Sequence, residues 1–326
     1  MRTIQQLLPE DWKAFEQAFE QALHTNQGTL QEVLQYIHLQ RGKQFRPQLV
    51  LLSAAISRGV TEKTVSTAVA LELLHTATLV HDDVVDHSPL RRGKAAIQEQ
   101  WTNKVAVLVG DYMLAKVIEI VDELRCHSII HLVAKMGQIL GTGELTQLHA
   151  GQSMWINEKQ YFDIIRQKTA ELFGTCAQAG AQPCMATGKQ EQALRAFGMN
   201  LGMCFQLKDD ILDYSDSEEL GIPTMSDIRD GKVTLPLIVS LQRATRAEAE
   251  LIRTQVEALG KKEPVTNPSE IEDIKSFVLR YQGVHYAYKK MEEYRRKAIE
   301  ALDFFRESEF KQALLEILDY AIQRER

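Results

Sequence analysis

Apolar residues recur every three or four positions along most of the chain, a spacing typical of amphipathic helices. In the first such segment, Trp12, Phe15 and Phe19 lie on one stripe. Strict alternation is scarce, although KVTLPLIV after Asp230-Gly231 imitates a strand. The pattern predicts helices over residues 10–24, 29–39, 47–57, 62–86, 103–122, 127–150, 158–180, 189–215, 234–260, 269–281, 284–305 and 308–323.

This pattern predicts an all-α fold, a bundle of about ten or more helices that forms a single domain over residues 1–326. The prolines fall between helices or at their starts, and no Ser/Gly-rich linker interrupts the chain. The segments 103–122 and 127–150 are apolar on most faces, so something must cover them. A second copy of the chain is the simplest cover, and we therefore expect a homodimer.

The composition limits the possible binding partners and the cellular compartment of the protein. The 326-residue chain is 44% hydrophobic, enough for a sizeable core, and its net charge of −6 argues against nucleic acid as a partner. No cysteine has a metal-ligand spacing, and we predict reduced core thiols at Cys126, Cys176, Cys184 and Cys204. The N-terminus lacks a secretory apolar segment, and no uncharged apolar run reaches the roughly 20 residues of a membrane span. We expect a cytoplasmic protein without a transmembrane segment.

Two stretches share the acidic pattern Asp-Asp-apolar-apolar-Asp. The aspartates are Asp82, Asp83 and Asp86 in TLVHDDVVDHSPLRRG, and Asp209, Asp210 and Asp213 in FQLKDDILDYS. On a helix, the first and third aspartate of each set lie on one face, about 5–6 Å apart at Cβ. Like charges at this spacing destabilise a helix, so we expect a cation there. Carboxylates suit Mg²⁺, Mn²⁺ or Ca²⁺, and Mg²⁺ usually binds one or two of them together with substrate phosphates.

Solvated acidic turns are the alternative explanation of these two clusters. The residues around the aspartates are apolar, however, among them Val80 and Val84 in the first stretch and Leu207 and Ile211 in the second. Such residues predict buried helices rather than surface loops. A buried carboxylate must be paired or must coordinate metal, so the metal site is the favoured interpretation.

Cationic side chains at helix ends and in short loops complement the carboxylates, and phosphate oxygens are commonly bound at such places. They are Lys43, Arg46, Arg91, Arg92, Lys168 and Lys232. Taken singly, each has an ordinary explanation: a surface Arg91-Arg92 pair, for example, or a helical pair of Lys168 with Glu171. Together with two aspartate clusters they predict a site for metal ions and diphosphate.

His75 lies seven residues, about two helical turns, before Asp82 and therefore shares its face. A histidine on an apolar helix is commonly a packed core residue. Because His75 points toward the predicted site, we favour the interpretation that it contacts the ligand. His81 directly precedes the aspartates and is predicted to orient one of them.

These motifs together resemble the trans-isoprenyl (polyprenyl) diphosphate synthase family, of the medium- to long-chain type. The family's patterns DDxxDxxxxRRG, FQxxDDxxD, GGKRxRP, KT and GKxT match residues 82–93, 205–213, 41–47, 168–169 and 231–234. GELTQL at 143–148 and the C-terminal LDYAIQRER are also similar to family sequences. The chain departs from the pattern at Arg41, where the family has glycine, and at Gln44, where it has Lys or Arg. Both changes leave Lys43 and Arg46 in place.

The resemblance implies an all-α isoprenoid synthase fold with a central cavity, homodimeric assembly and two to three Mg²⁺ ions, for which Mn²⁺ can substitute. It implies that Asp82, Asp86 and Asp209 ligate the metal and that Asp83, Asp210 and Asp213 support them. It implies isopentenyl diphosphate at Lys43, Arg46, His75 and Arg92. It implies an allylic diphosphate, farnesyl or similar, at Arg91, Lys168, Thr169, Gln206 and Lys232.

Product length in this family depends on residues four or five positions before the first aspartate motif, where bulky aromatic residues give short products. Here that face carries Leu74, Ala77 and Thr78, of which the last two are small. The resemblance therefore implies a tunnel and a medium-to-long product such as a quinone side-chain precursor. Ordinary packing is the alternative explanation of these small residues. Leu108, Met136 and Leu140 are candidates for the tunnel floor.

Other functions remain open from the sequence. A short-chain farnesyl or geranylgeranyl diphosphate synthase would share every motif except the product-length determinant. A terpene cyclase would not need the four residues assigned to isopentenyl diphosphate, and a non-catalytic synthase subunit tends to lose an aspartate motif. A calcium-binding protein without catalytic activity would be expected to carry a DxDxDG loop, and this sequence has none.

Overall fold

The computed structural model describes residues 4–153, 155–183, 185–215, 225–229, 232–261 and 268–324. The predicted all-α fold is confirmed in this part of the chain. The helices are α1 Ile4–Leu7, α2 Pro9–Ala22, α3 Gly28–Leu39, α4 Phe45–Ser57, α5 Glu62–Val85, α6 Ile97–Gln100, α7 Asn103–Glu123, α8 His127–Ser153, α9 Glu158–Ile165, α10 Glu171–Ala181, α11 Gly188–Leu212, α12 Ser226–Arg229, α13 Leu235–Arg243, α14 Arg246–Lys261, α15 Pro268–Arg280, α16 Gly283–Leu302 and α17 Glu309–Gln323. Cys184 and the Asp230-Gly231 pair lie outside the described residues.

Helix α5 is the long apolar helix predicted over 62–86. It begins at a capping box, in which the Thr61 side chain accepts from the backbone N–H of Thr64 and the Thr64 hydroxyl binds the N–H of Thr61. Most of its residues are buried, and it packs against α2, α4 and α7. Asp86 caps its end, so the first aspartate cluster occupies the last turn of a buried helix.

Two predicted helices are interrupted in the structure. The segment predicted over 158–180 contains a π-helical turn, Arg166–Ala170, between α9 and α10. The helix predicted over 234–260 is wrong as a single element because the extended residue Ala244 separates α13 from α14. Thr245 and Glu248 exchange side-chain-to-backbone hydrogen bonds that start the second helix.

A small β-ribbon follows the first aspartate cluster where the sequence gives no strand signal. Strand β1 (Leu90–Arg91) pairs antiparallel with β2 (Lys94–Ala95). The two turn residues, Arg92 and Gly93, both have positive φ angles, +52° and +75°, as a two-residue type I′ hairpin requires. The ribbon fixes the positions of Arg91 and Arg92.

The chain divides into two compact units. The first comprises Met1–Gln138, Phe173–Gly198 and Ala301–Ile317. The centre of its core is formed by buried residues of α4 and α5, including Leu49, Leu51 and Leu71. Close packing in this unit needs a glycine at position 180, since a Cβ there would lie 2.1 Å from the Val50 carbonyl oxygen. The first aspartate cluster belongs to this unit.

The second unit comprises Ile139–Leu172, Met199–Glu300 and Leu318–Arg326, and it contains the second aspartate cluster. Its core includes Leu201, Cys204 and Leu207 of α11 and the buried face of α13. Cys126, Cys176 and Cys204 are free thiols. No helix within the described ranges is both long and apolar enough to cross a membrane. The single-domain organisation stays a prediction.

Candidate active site

The first aspartate cluster divides into one buried carboxylate and two more accessible ones. Asp83 is 3% exposed, whereas Asp82 is half-buried and Asp86 is exposed. Nε of Arg91 donates to both Asp83 oxygens, at 3.0 and 3.1 Å, and its Nη2 makes a further short contact. The amide of Gln98 donates to the carbonyls of Asp83 and Ser88 and ties the cluster to the loop that follows. Asp83 therefore anchors Arg91.

Two buried titratable residues of α5 lie in the same unit as this cluster. Glu72 and His75, one turn apart on α5, are 7% and 9% exposed. Burial raises the pKa of Glu72, and the positive charges of Arg46 and Arg92 oppose this rise. Burial also holds the pKa of His75 well below its usual value near 6.5, and Arg46, Arg92 and Arg91 lower it further. His75 is therefore a neutral hydrogen-bonding group at physiological pH.

Arg46 has a donor available for a ligand. Among the residues that the structure describes, neither its Nε nor Oε2 of Glu72 has a hydrogen-bond partner, and both atoms are buried. The Arg46 guanidinium lies 5.0 Å from the ring centroid of Phe173. A buried guanidinium N–H without an acceptor is costly, and a phosphate oxygen would satisfy it.

Arg92 rests on the loop that carries Lys43. Its Nη1 donates to the Gln40 carbonyl at 2.5 Å. A Cβ at Gly42 would lie 2.8 Å from the Arg92 guanidinium, so only glycine fits at position 42 without displacing that side chain. Lys43 is exposed in this loop. The structure thus places the four predicted residues in the same unit. Lys43 lies in the loop before α4, Arg46 on α4, His75 on α5 and Arg92 in the turn of the β-ribbon.

The second aspartate cluster repeats the division of the first. Asp210 is 2% exposed, and Asp209 and Asp213 are half-buried. The Tyr161 hydroxyl donates to Oδ2 of Asp210, and the Gln206 amide donates to Oδ1 at 2.9 Å. Burial raises the pKa of Asp210 well above its usual range, and the negative charge of Asp227 adds to the rise. Asp210 is thus held by protein donors.

The predicted Thr169 and Lys168 lie on the π-helical turn of the second unit. The Thr169 hydroxyl donates to Oε1 of Gln206 at 2.8 Å, which extends the hydrogen-bond chain that ends at Asp210. Nζ of Lys168 lies 2.8 Å from Oε1 of Glu144. Oε1 of Glu171 lies 3.4 Å from Nη1 of Arg166. π-helical turns are frequent at functional sites.

Four residues near the clusters were not identified by the sequence analysis. The backbone N–H of Asp227 donates to Oδ2 of Asp213 at 3.3 Å, and the N–H of Lys232 donates to the Asp227 carbonyl at 2.7 Å. Glu72, Tyr161 and Arg324 are the others. For Asp227 a signal exists, since it precedes the GKxT motif by four residues. Tyr161 and Arg324 lie far in sequence from the groups that they contact, and Glu72 belongs to no motif.

His81 contacts helix α7. Its Nε2 lies 3.1 Å from the Val107 carbonyl oxygen and 3.6 Å from Oδ1 of Asp111. A Cβ at Gly110 would lie 2.1 Å from the same nitrogen, so the glycine makes room for the imidazole. These contacts give His81 a packing role between α5 and α7. Orientation of a cluster aspartate by His81 stays a prediction.

Within the described residues, no three His, Cys, Asp or Glu side chains converge as a protein-only metal cage requires. The donor set still suits Mg²⁺, which usually takes one or two carboxylates and completes its octahedron with water and substrate phosphate. Asp82 and Asp86 in one unit, and Asp209 and Asp213 in the other, are accessible hard-oxygen donors of this kind.

Comparison with known proteins places the chain in a family. The model of the polyprenyl synthetase family matches residues 27–273. The chain belongs to the polyprenyl synthetase family. It is a prenyltransferase, as the motifs predicted.

Relatives and solved structures of this family match the chain over almost its full length. The octaprenyl diphosphate synthase of Haemophilus influenzae is 33% identical over 322 residues, which cover 98% of this chain and 96% of the relative. A polyprenyl synthase from Caulobacter crescentus, in complex with calcium and isoprenyl diphosphate, matches with a TM-score of 0.90 and 30% identity, covering 99% of this chain and 97% of the other. A geranylgeranyl pyrophosphate synthase from Bacteroides thetaiotaomicron has a TM-score of 0.83 and 37% identity, with 98% of both chains covered. The prediction of an isoprenoid synthase fold is confirmed.

The shifted pKa of His75 leads to a test of its protonation state. Since folding lowers this pKa, the stabilisation from a neutral His75 is present above about pH 6.5 and is lost as the pH falls toward the folded value. The raised pKa of Glu72 has the opposite effect on the pH dependence of stability, but Glu72 is present in both the wild type and a His75 variant. We expect His75→Gln to weaken the loss of stability between pH 7.5 and 5, measured by urea unfolding. His24→Gln, at an exposed position, is the control; an identical pH slope in wild type and His75→Gln would contradict the prediction.

Proposed function

We propose that the protein condenses isopentenyl diphosphate onto an allylic diphosphate in successive 1′-4 steps and releases an all-trans polyprenyl diphosphate and diphosphate. The observation that carries this proposal is the shared construction of the two aspartate clusters. In each, the second aspartate is buried on protein donors, Arg91 for Asp83 and Tyr161 with Gln206 for Asp210. The outer aspartates remain accessible to a cation.

The allylic diphosphate is proposed to bind Arg91, Lys168, Thr169, Gln206 and Lys232. Carboxylates hold two of these groups in place, since Arg91 pairs with Asp83 and Lys168 with Glu144. An oriented cation loses less side-chain freedom when it binds a phosphate oxygen. The hydrogen bond from Thr169 to Gln206 orients the amide in the same way.

Isopentenyl diphosphate is proposed to bind Lys43, Arg46, His75 and Arg92. The unpartnered Nε of Arg46 supplies a buried donor for its diphosphate. Neutral His75 adds a hydrogen-bond donor without a charge. These four groups favour a synthase over a terpene cyclase, which has no second diphosphate to bind.

Asp82, Asp86 and Asp209 are proposed as the ligands of Mg²⁺, with Asp83, Asp210 and Asp213 in support. The bound ions would neutralise the diphosphate leaving group and so lower the barrier to breaking its C–O bond. The π-bond of isopentenyl diphosphate then attacks the allylic carbon, and the departing diphosphate accepts the proton that is lost. The protein must keep water from the allylic cation, which water would quench.

Incubation of the purified chain with farnesyl diphosphate, isopentenyl diphosphate and Mg²⁺, followed by sizing of the product, tests the proposal. We expect consumption of isopentenyl diphosphate and a medium-to-long polyprenyl product of the kind used as a quinone side chain. A geranylgeranyl product, one isoprene unit longer than the primer, would identify the short-chain alternative, and a geranylgeranyl pyrophosphate synthase is among the similar structures, at 37% identity. A cyclised hydrocarbon, or no turnover by the single chain, would reject the proposal.

A homodimer in the cytoplasm is part of the same proposal. Helix α7 carries large apolar side chains that the single chain leaves open to solvent, including Leu108 at 66% and Ile118 at 67% exposure. This exposure does not suit Leu108 as a residue of the tunnel floor. A second copy of the chain is proposed to cover them, and sedimentation velocity would detect it. The free thiols of Cys126, Cys176 and Cys204 suit a reducing compartment.

A further inference from the structure

The last described residue of the chain contacts the second aspartate cluster. Nη2 of Arg324 lies 2.7 Å from Oδ1 of Asp209. The side chain of Arg324 is only 9% exposed, whereas that of Asp209 is 42% exposed. The contact joins the end of α17 to the last turns of α11, within the second unit. A buried guanidinium therefore pairs with an aspartate that solvent can reach.

Arg324 is held by three further contacts besides Asp209. Its Nη2 also donates to the Phe205 carbonyl at 2.8 Å, and its Nε donates to the Ala321 carbonyl at 3.2 Å. The guanidinium carbon lies 3.7 Å from the ring centroid of Phe205. A guanidinium fixed by two carbonyls and an aromatic face is a rigid support for a carboxylate.

We propose that Arg324 is a positioning residue that holds the Asp209 carboxylate by Oδ1 and so orients it as a ligand for the Mg²⁺ of the diphosphate complex. This rests on the proposed function, in which Asp209 is a metal ligand. A carboxylate has acceptor capacity on both oxygens, and Arg324 engages one of them. Partners that orient a metal ligand typically change metal affinity or activity by 10- to 100-fold when they are removed.

Two electrostatic effects of Arg324 oppose each other. Its charge attracts the Asp209 carboxylate at 2.7 Å, but it also repels Mg²⁺. Because the Arg324–Asp209 pair exists with and without the metal, its own attraction does not change the metal affinity. Arg324 therefore strengthens metal binding only through the fixed orientation of the carboxylate, and this gain must exceed the repulsion between the guanidinium and the metal.

The test compares Arg324→Gln with wild type in the binding of Mn²⁺ together with inorganic pyrophosphate, measured by titration calorimetry. We expect the Mn²⁺ affinity to fall about tenfold. The Mg²⁺ concentration that gives half-maximal turnover should rise by the same factor, with kcat near wild type at saturating Mg²⁺. Arg324→Lys keeps the charge without the planar fork and should lie between the two.

Arg295→Gln is a matched control, because Arg295 makes the same kind of ion pair in the same unit, with Asp319 of α17 at 3.0 Å. It should leave Mn²⁺ binding unchanged. Wild-type affinity in Arg324→Gln, or tighter binding, would overturn the role of Arg324 alone. If wild type itself bound no Mn²⁺ with pyrophosphate, the proposed function would fail with it. Should the Gln variant not fold, Arg324→Lys decides: wild-type affinity overturns the proposal, and reduced affinity supports it.

Discussion

Asp82→Asn should lower kcat by about 10²- to 10³-fold while leaving the melting temperature unchanged. The substitution keeps the shape of the side chain and removes one negative charge from a half-buried position at the end of α5. Loss of one group that stabilises transition-state charge typically costs this much. The fold should tolerate the change, because the buried aspartate of this cluster is Asp83, which pairs with Arg91.

Steady-state rates at several Mg²⁺ concentrations and a thermal melt of each protein would check this prediction. Asp122→Asn is the matched control, since Asp122 is an exposed aspartate of α7 in the same unit. It should leave both quantities unchanged. Full kcat in Asp82→Asn at moderate Mg²⁺ would remove Asp82 from the list of metal ligands. A large fall in melting temperature would instead assign it a structural role.

The fold could be predicted from the sequence wherever local signals agree. Helix α5 combines an apolar pattern with the Thr61–Thr64 capping box, and its predicted and observed bounds are nearly the same. The break at Ala244 also had a local signal, the Thr245–Glu248 capping box, which the periodicity of the flanking residues concealed. The β-ribbon had no such signal, because the first residue of its type I′ turn is an arginine at positive φ, rather than asparagine or glycine.

The site was predictable as a set of motifs but not as a set of contacts. Both DDxxD patterns and the cations around them were visible in the sequence. Their partners were not, because Tyr161 lies 49 residues from Asp210 and Arg324 lies 119 residues from Phe205. Only tertiary packing brings such residues together. Glu72 was hidden for another reason: on an apolar helix, a single glutamate carries no pattern.

The repeated pattern has a geometric reason in both clusters. Residues advance by about 100° around a helix, so the first and fifth positions share a face and the second is turned away from it. The outer aspartates of each cluster are therefore together on the more accessible side, and the second aspartate enters the protein. Inside, Asp83 pairs with Arg91, and Asp210 accepts from Tyr161 and Gln206. The second aspartate thus organises the protein side of each site.

Ala77→Phe should shorten the product by several isoprene units. Ala77 lies five residues before Asp82 on α5, is 0% exposed, and has the buried Leu74 on the same face. If the growing chain passes this face, a phenyl ring there would occupy the space that the later isoprene units need. Overpacking is also expected to cost about 1–3 kcal/mol of stability. Mass spectrometry of the products and a thermal melt separate the two effects.

Ala68→Phe provides the matched control for this overpacking. Ala68 is also 0% exposed on α5, and nine residues at about 100° each place it on the opposite side of the helix from Ala77. Both variants should lose stability, but only Ala77→Phe should change the product. An unchanged product in Ala77→Phe, or equal shortening in both, would reject the tunnel along Leu74, Ala77 and Thr78. Equal shortening in both variants would point to overpacking, which acts on both sides of the helix. An unchanged product would mean that other residues set the product length.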